Sequence, residues 1–552
     1  MSATPDVTRA PLRELVAAVR ATAAAVRGGD PVSAPEPRLE RSRRAGQGDY
    51  STNAAMLLAP VLRAPPAEIA TRLASELAHA LGDDLERTEV AGPGFLNLVL
   101  SDRWHRRTLR LVLDAGERYG AGHAEDPERI LIEFVSANPT GPLVAASGRH
   151  AAYGDALARI LEYHGHEVSR EYYFNDAGSQ IRLLGESVKA RAEGEEVPAG
   201  GYRGDYVGEL ATEIEGVSEL DPERVAALAV ELLLGRIKAT LARYQVRFDR
   251  FFSERTLHQG SPSELERVLS LLRDAGHVYE SEGAVWLRTT RFGDDKDRVV
   301  IRSSGEPTYL AADVAYLQDK RERGFQRQLM PVGADHHAYV RELRAAMSAL
   351  GGDAETVEVP ILQFVHLVEG SERAAMSKRR GEFVTLDELL DEIGVDATRF
   401  FMLQRSHDRT LDLDLDLARR ESSENPVYYV QYAHARIASM LRRLTAERVQ
   451  RAIGGDSGWG EAELHASERE LIKQLAQFPD EIAEAAQRRG PHRIAVYSLE
   501  LAQSFTAFYR DCHVVGATPE PVESFRIALS VAAQRTIAAS LSLLGVGAPE
   551  AM

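Results

Sequence analysis

Apolar positions in residues 1–27 fall at helical spacing, and the partly alternating run from Gly94 to Leu100 reads as a strand, so the first 116 residues predict a small α+β domain. A breaker-rich loop at 119–127 (YGAGHAEDP) separates it from a β-rich run at 129–135. Next come a Pro/Gly turn at 138–142 (NPTGP), a helical stretch from Ala145 to His164, and Gly165 placed to stop it. Residues 166–174 are strand-like again. Strand, crossover helix and strand in such a short span form a βαβ unit, which predicts an α/β Rossmann-like parallel sheet over 128–418. Ligands in such sheets lie beyond the carboxyl ends of the strands, so the turn after Val135 is the first place to expect chemistry.

Residues 185–260 read as a largely helical, acidic insertion in that domain, with further strands expected at 284–288, 298–302, 328–332 and 361–367. From Arg419 onward the signals stay helical, with loops near Gly454 and at 518–521, and predict an all-α bundle over 419–552. The alternation LDLDLDL at 411–417 lacks the Gly and Glu offsets of a calcium loop and predicts an extended segment instead of a metal site.

Composition narrows the class. A chain of 552 residues is too long for one core, and about 150 residues per domain predicts three or four domains. No uninterrupted apolar run approaches the ~20 residues a membrane span needs, and the N-terminus lacks a signal peptide's basic and apolar regions. Cys512 is the single cysteine, which leaves no intrachain disulfide and no cysteine-based zinc site and fits the reducing cytoplasm. The net charge of −17 argues against indiscriminate nucleic-acid binding, though not against a local RNA-binding face. Neither a Walker A pattern nor a G-x-G-x-x-G at a strand-to-helix turn is present.

A different signature is. EFVSANPTGPL at 133–143, Gly148-Arg149 and Gly154-Asp155 closely resemble the start of the catalytic domain of arginyl-tRNA synthetases. The resemblance continues in family order through REYYFNDAG at 170–178, GADHH at 333–337, MSKR at 376–379, FVTL at 383–386 and NPVYYVQYAHAR at 425–436. It takes in AGPGFLN at 91–97 and ends with 545–552, so it spans nearly the whole chain. The departure is at the class I His-x-Gly-His signature, where this chain has VAAS at 144–147 and both histidines are missing. In the family those imidazoles stabilise the ATP phosphates, and one lost donor of that kind costs ~3 kcal/mol. Ser147 can still give one hydrogen bond, and a helix N-terminus attracts phosphate. Arg149 or His150 could supply charge, although His150 is turned away around the helix. The second signature, Lys-Met-Ser-Lys-Ser, survives as AMSKR at 375–379, without its first lysine.

The resemblance implies ATP-dependent activation of L-arginine and transfer to tRNA-Arg, with magnesium arriving on ATP and no protein metal site. It implies catalytic roles for Lys378, Ser147 and Ser377, and ATP contacts from Pro139, Gly141, Ser147, Gly148, Met376, Ser377 and Lys378. Glu133, Asn138, Tyr309, Asp313 and His336 fall at amino-acid-binding positions, which suits a planar guanidinium that needs carboxylates; Tyr309 and Asp313, four apart, would share a helix face. For tRNA the candidates are Phe95 and Asn97 at the elbow and Tyr429, Tyr432 and Arg436 at the anticodon, where aromatic and arginine side chains suit splayed bases. A cytoplasmic monomer is expected. The rival is a non-catalytic arginine- or tRNA-binding paralogue that has lost ATP chemistry.

Overall fold

The computed structural model describes residues 10–28, 35–42, 48–334, 339–370, 372–373, 384–455 and 458–552. The expectations for His336, Met376, Ser377 and Lys378 lie outside the described residues.

The first domain opens with α1 (Pro11–Arg27), whose stripe of Leu12, Leu15, Val19 and Val26 is buried. After it come β1 (Leu39–Arg41), β2 (Tyr50–Thr52), α2 (Ala54–Leu62), α3 (Pro66–Leu81), β3 (Leu85–Ala91) and β4 (Phe95–Leu100). The strands form an antiparallel sheet in the order β1-β2-β4-β3. Leu15, Leu73, Leu98 and Trp104 belong to its core. The helix α4 (Asp102–Ala115), capped by the Ser101 hydroxyl, leads out of the domain.

The second domain contains the βαβ unit: β5 (Arg129–Glu133), α5 (Ala145–His164) and β6 (Glu167–Phe174), with Ile130 and Val168 as parallel partners. Ile130, Leu131 and Ile132 are all buried, as a strand covered on both faces requires. The helices α6 (Ser179–Glu193), α7 (Asp205–Glu213) and α8 (Pro222–Arg243) form the expected insertion around their own apolar cluster. The span assigned to it also holds a catalytic-domain strand, β7 (Arg250–Ser253). Its Phe251 and Phe252 pair with β6 and stack on Tyr172 and Tyr173, a tertiary contact that local pattern does not reveal.

Next are α9 (Arg255–His258), α10 (Glu264–Asp274), β8 (Val278–Ser281), β9 (Ala284–Leu287), β10 (Arg298–Ile301), α11 (Tyr309–Glu322), β11 (Arg327–Leu329), β12 (Val332–Gly333), α12 (Tyr339–Ala349) and β13 (Val357–Glu358). The parallel sheet runs β13-β11-β5-β6-β7. The strands expected at 284–288 and 298–302 exist but build a separate antiparallel sheet, β10-β9-β8. Glu282 (φ 53°) and Gly283 (φ 76°) give the left-handed turn that folds β8 back on β9, so this segment is a hairpin and not another crossover. The strand expected at 361–367 is broken into β14 (Ile361–Leu362) and β15 (Val365–Glu369), which join different sheets. After β16 (Glu372–Arg373) come α13 (Leu386–Leu403), β17 (Leu411–Asp414) and α14 (Leu415–Ala418). β17 shows the expected alternation over 411–414, with Leu411 and Leu413 buried and Asp412 and Asp414 exposed, but the extended segment stops there because the Asp414 side chain accepts the Leu417 amide and caps α14.

The third domain is the predicted bundle: α15 (Pro426–Leu441), α16 (Ala446–Gly454), α17 (Ala466–Ala476), α18 (Phe478–Gln487), α19 (His492–Asp511) and α20 (Glu520–Leu544). α20 is long and apolar enough to cross a bilayer, yet most of it is buried as a core helix of the bundle.

Candidate active site

The site grows from the carboxyl end of β5. Val135 (φ 66°) and Ser136 (φ 41°) take left-handed conformations in the turn that follows, a strained state costing about 1–3 kcal/mol per residue and rare for a β-branched side chain. That turn brings the Ser136 hydroxyl to donate to Glu133 Oε1 at 3.1 Å while it accepts the Tyr173 amide at 3.2 Å. Glu133 Oε2 accepts from Lys320 Nζ at 2.6 Å.

α11 contributes the other wall. Asp313 lies one turn in from Tyr309, and its carboxyl is pushed up to about 7, chiefly by burial and further by Glu133 and Glu254, against a hydrogen bond from Tyr339. Glu254, just after β7, accepts from the Tyr173 hydroxyl at 2.7 Å. Burial and the Glu254 charge push that hydroxyl far up. Glu133, Glu254 and Asp313 thus lie around Tyr173 and Tyr339, an acidic, aromatic enclosure suited to a planar cation. Tyr309, the first residue of α11, is 66% exposed. Asn138 is exposed too, donating to Gln180 at 3.1 Å and accepting from the Asn175 amide at 3.3 Å.

The second half of the site is the N-terminus of α5. Its cap residue, Val144, offers no side-chain acceptor. The Ala145 amide instead donates to the Val384 carbonyl at 2.9 Å, and the Leu386 amide to the Leu143 carbonyl at 2.8 Å. Val144 and Thr385 form an antiparallel bridge, so the chain leaving the AMSKR stretch is tied beside the first turn of α5. Gly148 permits this approach, and Gly154 lets the helix lie against the end of β5. A Cβ on Gly148 would stand 2.9 Å from Leu386 Cδ1, and one on Gly154 only 2.2 Å from the Phe134 ring. Gly141 faces the Tyr206 ring of the insertion, whose hydroxyl donates to the Thr140 carbonyl at 2.8 Å; Pro139 is buried beside it and Ser147 is half-buried. Arg149 is not available to a phosphate. Its guanidinium is buried, donating to the carbonyls of Gln363 at 2.8 Å and Ser406 at 2.9 Å. His150 is half-buried.

Of the candidate RNA contacts, Phe95 is 38% exposed, whereas Asn97, on the same face of β4, is buried. On α15, Tyr428 and Tyr432 stack with centroids 6.1 Å apart, and Arg436 lies 4.9 Å over Tyr432 and 5.3 Å over Tyr509. Tyr432, Arg436 and Tyr509, with Arg442, Arg443 and Met552, line a cavity of about 310 Å³. Tyr429 is half-buried against the bundle core.

Three family models cover this architecture in order: the arginyl tRNA synthetase N terminal domain at 12–100, the catalytic domain of class I (R) tRNA synthetases at 221–437, and the DALR anticodon binding domain at 430–552. An arginine–tRNA ligase of Frankia alni is 46% identical over 97% of this chain and 99% of its own length. One of Bacillus licheniformis is 42% identical over 94% and 95%. The chain belongs to the arginyl-tRNA synthetase family. The Thermus thermophilus arginyl-tRNA synthetase shares its fold with a TM-score of 0.75 at 26% identity, covering 98% of this synthetase and all of that one. The catalytic-domain match begins downstream of residues 144–147, where this synthetase departs from the class I signature.

Sequence reasoning named Glu133 and Asp313 as candidates but not Glu254, Tyr173, Tyr339 or Lys320, which the fold places around them. Lys320 stands in QDKRER, which reads as a solvated helix face until the packing of α11 on β5 buries it. Tyr173 lies inside the REYYFNDAG stretch at 170–178, and only the pairing of β6 with β7 brings it to Glu254.

Proposed function

We propose that this synthetase activates L-arginine with ATP between the carboxyl end of β5 and the first turn of α5, then transfers the arginyl group to tRNA-Arg. Glu133, Asn138, Tyr309, Asp313 and His336 bind the amino acid, joined by Glu254. The observation that carries this reading is the gathering of Glu133, Glu254 and Asp313 around the half-buried Tyr173 and Tyr339, because a guanidinium taken out of water needs several carboxylate acceptors. The arginine carboxylate attacks the ATP α-phosphorus and pyrophosphate leaves; a terminal ribose hydroxyl of tRNA then attacks the adenylate's carbonyl carbon, forming the ester and releasing AMP.

ATP, entering with its own magnesium, lies along Pro139, Gly141 and the first turn of α5 at Ser147 and Gly148, and Met376, Ser377 and Lys378 also bind it. The support for that pairing is the tether of Val384 to Leu386 against Leu143 to Ala145. The divisions 1–116, 128–418 and 419–552 serve elbow contact, chemistry and anticodon contact, through Phe95 and Asn97 in the first and Tyr429, Tyr432 and Arg436 in the third. The protein acts as a cytoplasmic monomer. Aminoacylation with pure protein, ATP, arginine and cognate tRNA tests the whole reading: charged tRNA is expected, and no product above a Lys378→Ala control would favour a binding paralogue without ATP chemistry.

A further inference from the structure

A lysine side chain withdrawn wholly from water is costly unless its ammonium is paired. Lys320 is such a residue, with none of its side chain exposed. It lies seven positions after Asp313, about two turns along the same face of α11. Nζ stands 2.6 Å from Glu133 Oε2, 3.2 Å from Met330 Sδ and 3.9 Å from the centroid of the Tyr316 ring. The nearby Glu171 does not compete for it, being held by Arg323 at 2.7 and 2.8 Å and by the Tyr316 hydroxyl. Oε2 of Glu133 is therefore committed to the interior. Oε1 accepts the Ser136 hydroxyl and, as a carboxylate oxygen with two acceptor positions, keeps one for a ligand.

We propose that Lys320 is a positioning residue for the amino-acid substrate: by holding Glu133 Oε2 inside the fold it presents Oε1 to a cationic group of arginine and sets the charge of the enclosure. The Lys320 ammonium offsets one of the three carboxyl groups of Glu133, Glu254 and Asp313, so the enclosure carries at most two uncompensated negative charges. Arginine carries two cationic groups, the α-ammonium and the guanidinium, so the enclosure is neutralised by this substrate while the reacting carboxylate stays free. Lys320 touches no substrate atom in this scheme and acts through Glu133. The inference rests on the reading that Glu133 lines the arginine site.

The test is calorimetric titration of L-arginine into the full-length protein, with ATP affinity measured beside it. Glu133→Gln first examines the underlying reading; an unchanged arginine affinity there would refute the site itself, independently of Lys320. Given a loss, Lys320→Met is expected to weaken arginine at least about tenfold, since it leaves a carboxylate without its internal partner, while ATP affinity stays within about threefold. Lys320→Arg, which keeps the charge, restores arginine binding to within about threefold of wild type. Equal arginine affinities in wild type and Lys320→Met, or arginine and ATP weakening together without rescue by arginine, would overturn the role. Should Lys320→Met not fold, the Glu133→Gln/Lys320→Met pair leaves no unpaired buried charge; it must match Glu133→Gln alone in arginine affinity, and a further loss beyond about threefold overturns the proposal.

Discussion

Arg399 of α13 and Asp155 of α5 form an ion pair of 2.6 Å in which neither side chain is more than 1% exposed. Arg399 also donates to the carbonyls of Leu544 at 2.8 Å and Tyr244 at 3.0 Å, so one guanidinium joins the crossover helix, the insertion and the last helix of the bundle. Arg159 adds a second donor to the same Asp155 oxygen at 2.7 Å. Gly545 is required beside this cluster, for it has φ 67° and a Cβ there would fall 2.3 Å from Arg399 Nη2.

Removing Arg399 leaves Asp155 to Arg159 and strips the Leu544 and Tyr244 carbonyls of their buried donor, a loss of about 2–4 kcal/mol. Arg399→Ala is therefore expected to destabilise the protein by that amount and to loosen the bundle from the sheet domain. Urea unfolding monitored by circular dichroism, with limited proteolysis near residue 419, measures both. A loss under about 1 kcal/mol would mean that water enters and solvates the freed groups.

The pH dependence follows from Asp313. Its carboxyl is pushed from an ordinary 3.8 to about 7, so its contribution to stability is complete below about pH 4 and is lost as pH rises through about 7. Arginine binding has the opposite sign, because a guanidinium pairs with the ionised form. Arginine affinity should rise about tenfold from pH 6 to pH 8, following the ionised fraction, and level off above it. Asp313→Asn should flatten the profile, and Asp313→Ala should lose at least about 30-fold in affinity with tRNA binding unchanged. His258 stands 3.7 Å from Glu254, so a His258→Gln variant that keeps the slope assigns it to Asp313. A flat wild-type profile contradicts the assignment.

How much of this was readable in the chain depends on the range of the contacts. The βαβ unit was legible because a short continuous apolar run at 130–132, bounded by breakers, gives way to helical spacing at 145–164, a local signal. Family resemblance pointed to Glu133 and Asp313 as candidates, and the helical spacing of Tyr309 and Asp313 holds in α11. Arg149 misled, since its place one turn into α5 suggests phosphate contact while only the fold shows the Gln363 and Ser406 carbonyls that take its donors. β7 was hidden for the same reason: its partner β6 lies across the whole helical insertion.

The altered signature gives a prediction by restoration. Position 147 lies in the first turn of α5, half-buried, and carries a hydroxyl where the family has an imidazole. Ser147→His is expected to raise the rate of adenylate formation at least about tenfold, part of the ~3 kcal/mol such a donor supplies, with arginine affinity unchanged. Ser147→Ala should lower it. Single-turnover pyrophosphate release measures the step directly, and a Ser147→His variant no faster than wild type would show that another group already fills the imidazole's role.

The bundle is tested at α15. Tyr432 is 42% exposed and stacks on Tyr428 with an interplanar angle of 7°, and Arg436 Nη2 donates to its hydroxyl at 3.2 Å. A flat, exposed ring braced from behind is a stacking surface for an unpaired base, worth about 1–3 kcal/mol. Tyr432→Ala should therefore weaken tRNA-Arg about tenfold or more and leave arginine affinity alone, because the cavity around Tyr432 and Tyr509 is built wholly from the bundle and the chain end. Arg436→Ala removes a cation as well, so its loss should shrink as salt rises, with a slope of log affinity against log salt lower by about one. If Tyr432 serves only to cover α15, its truncation lowers helix stability slightly and tRNA affinity stays at the wild-type value; filter binding across a salt series on both variants separates these outcomes.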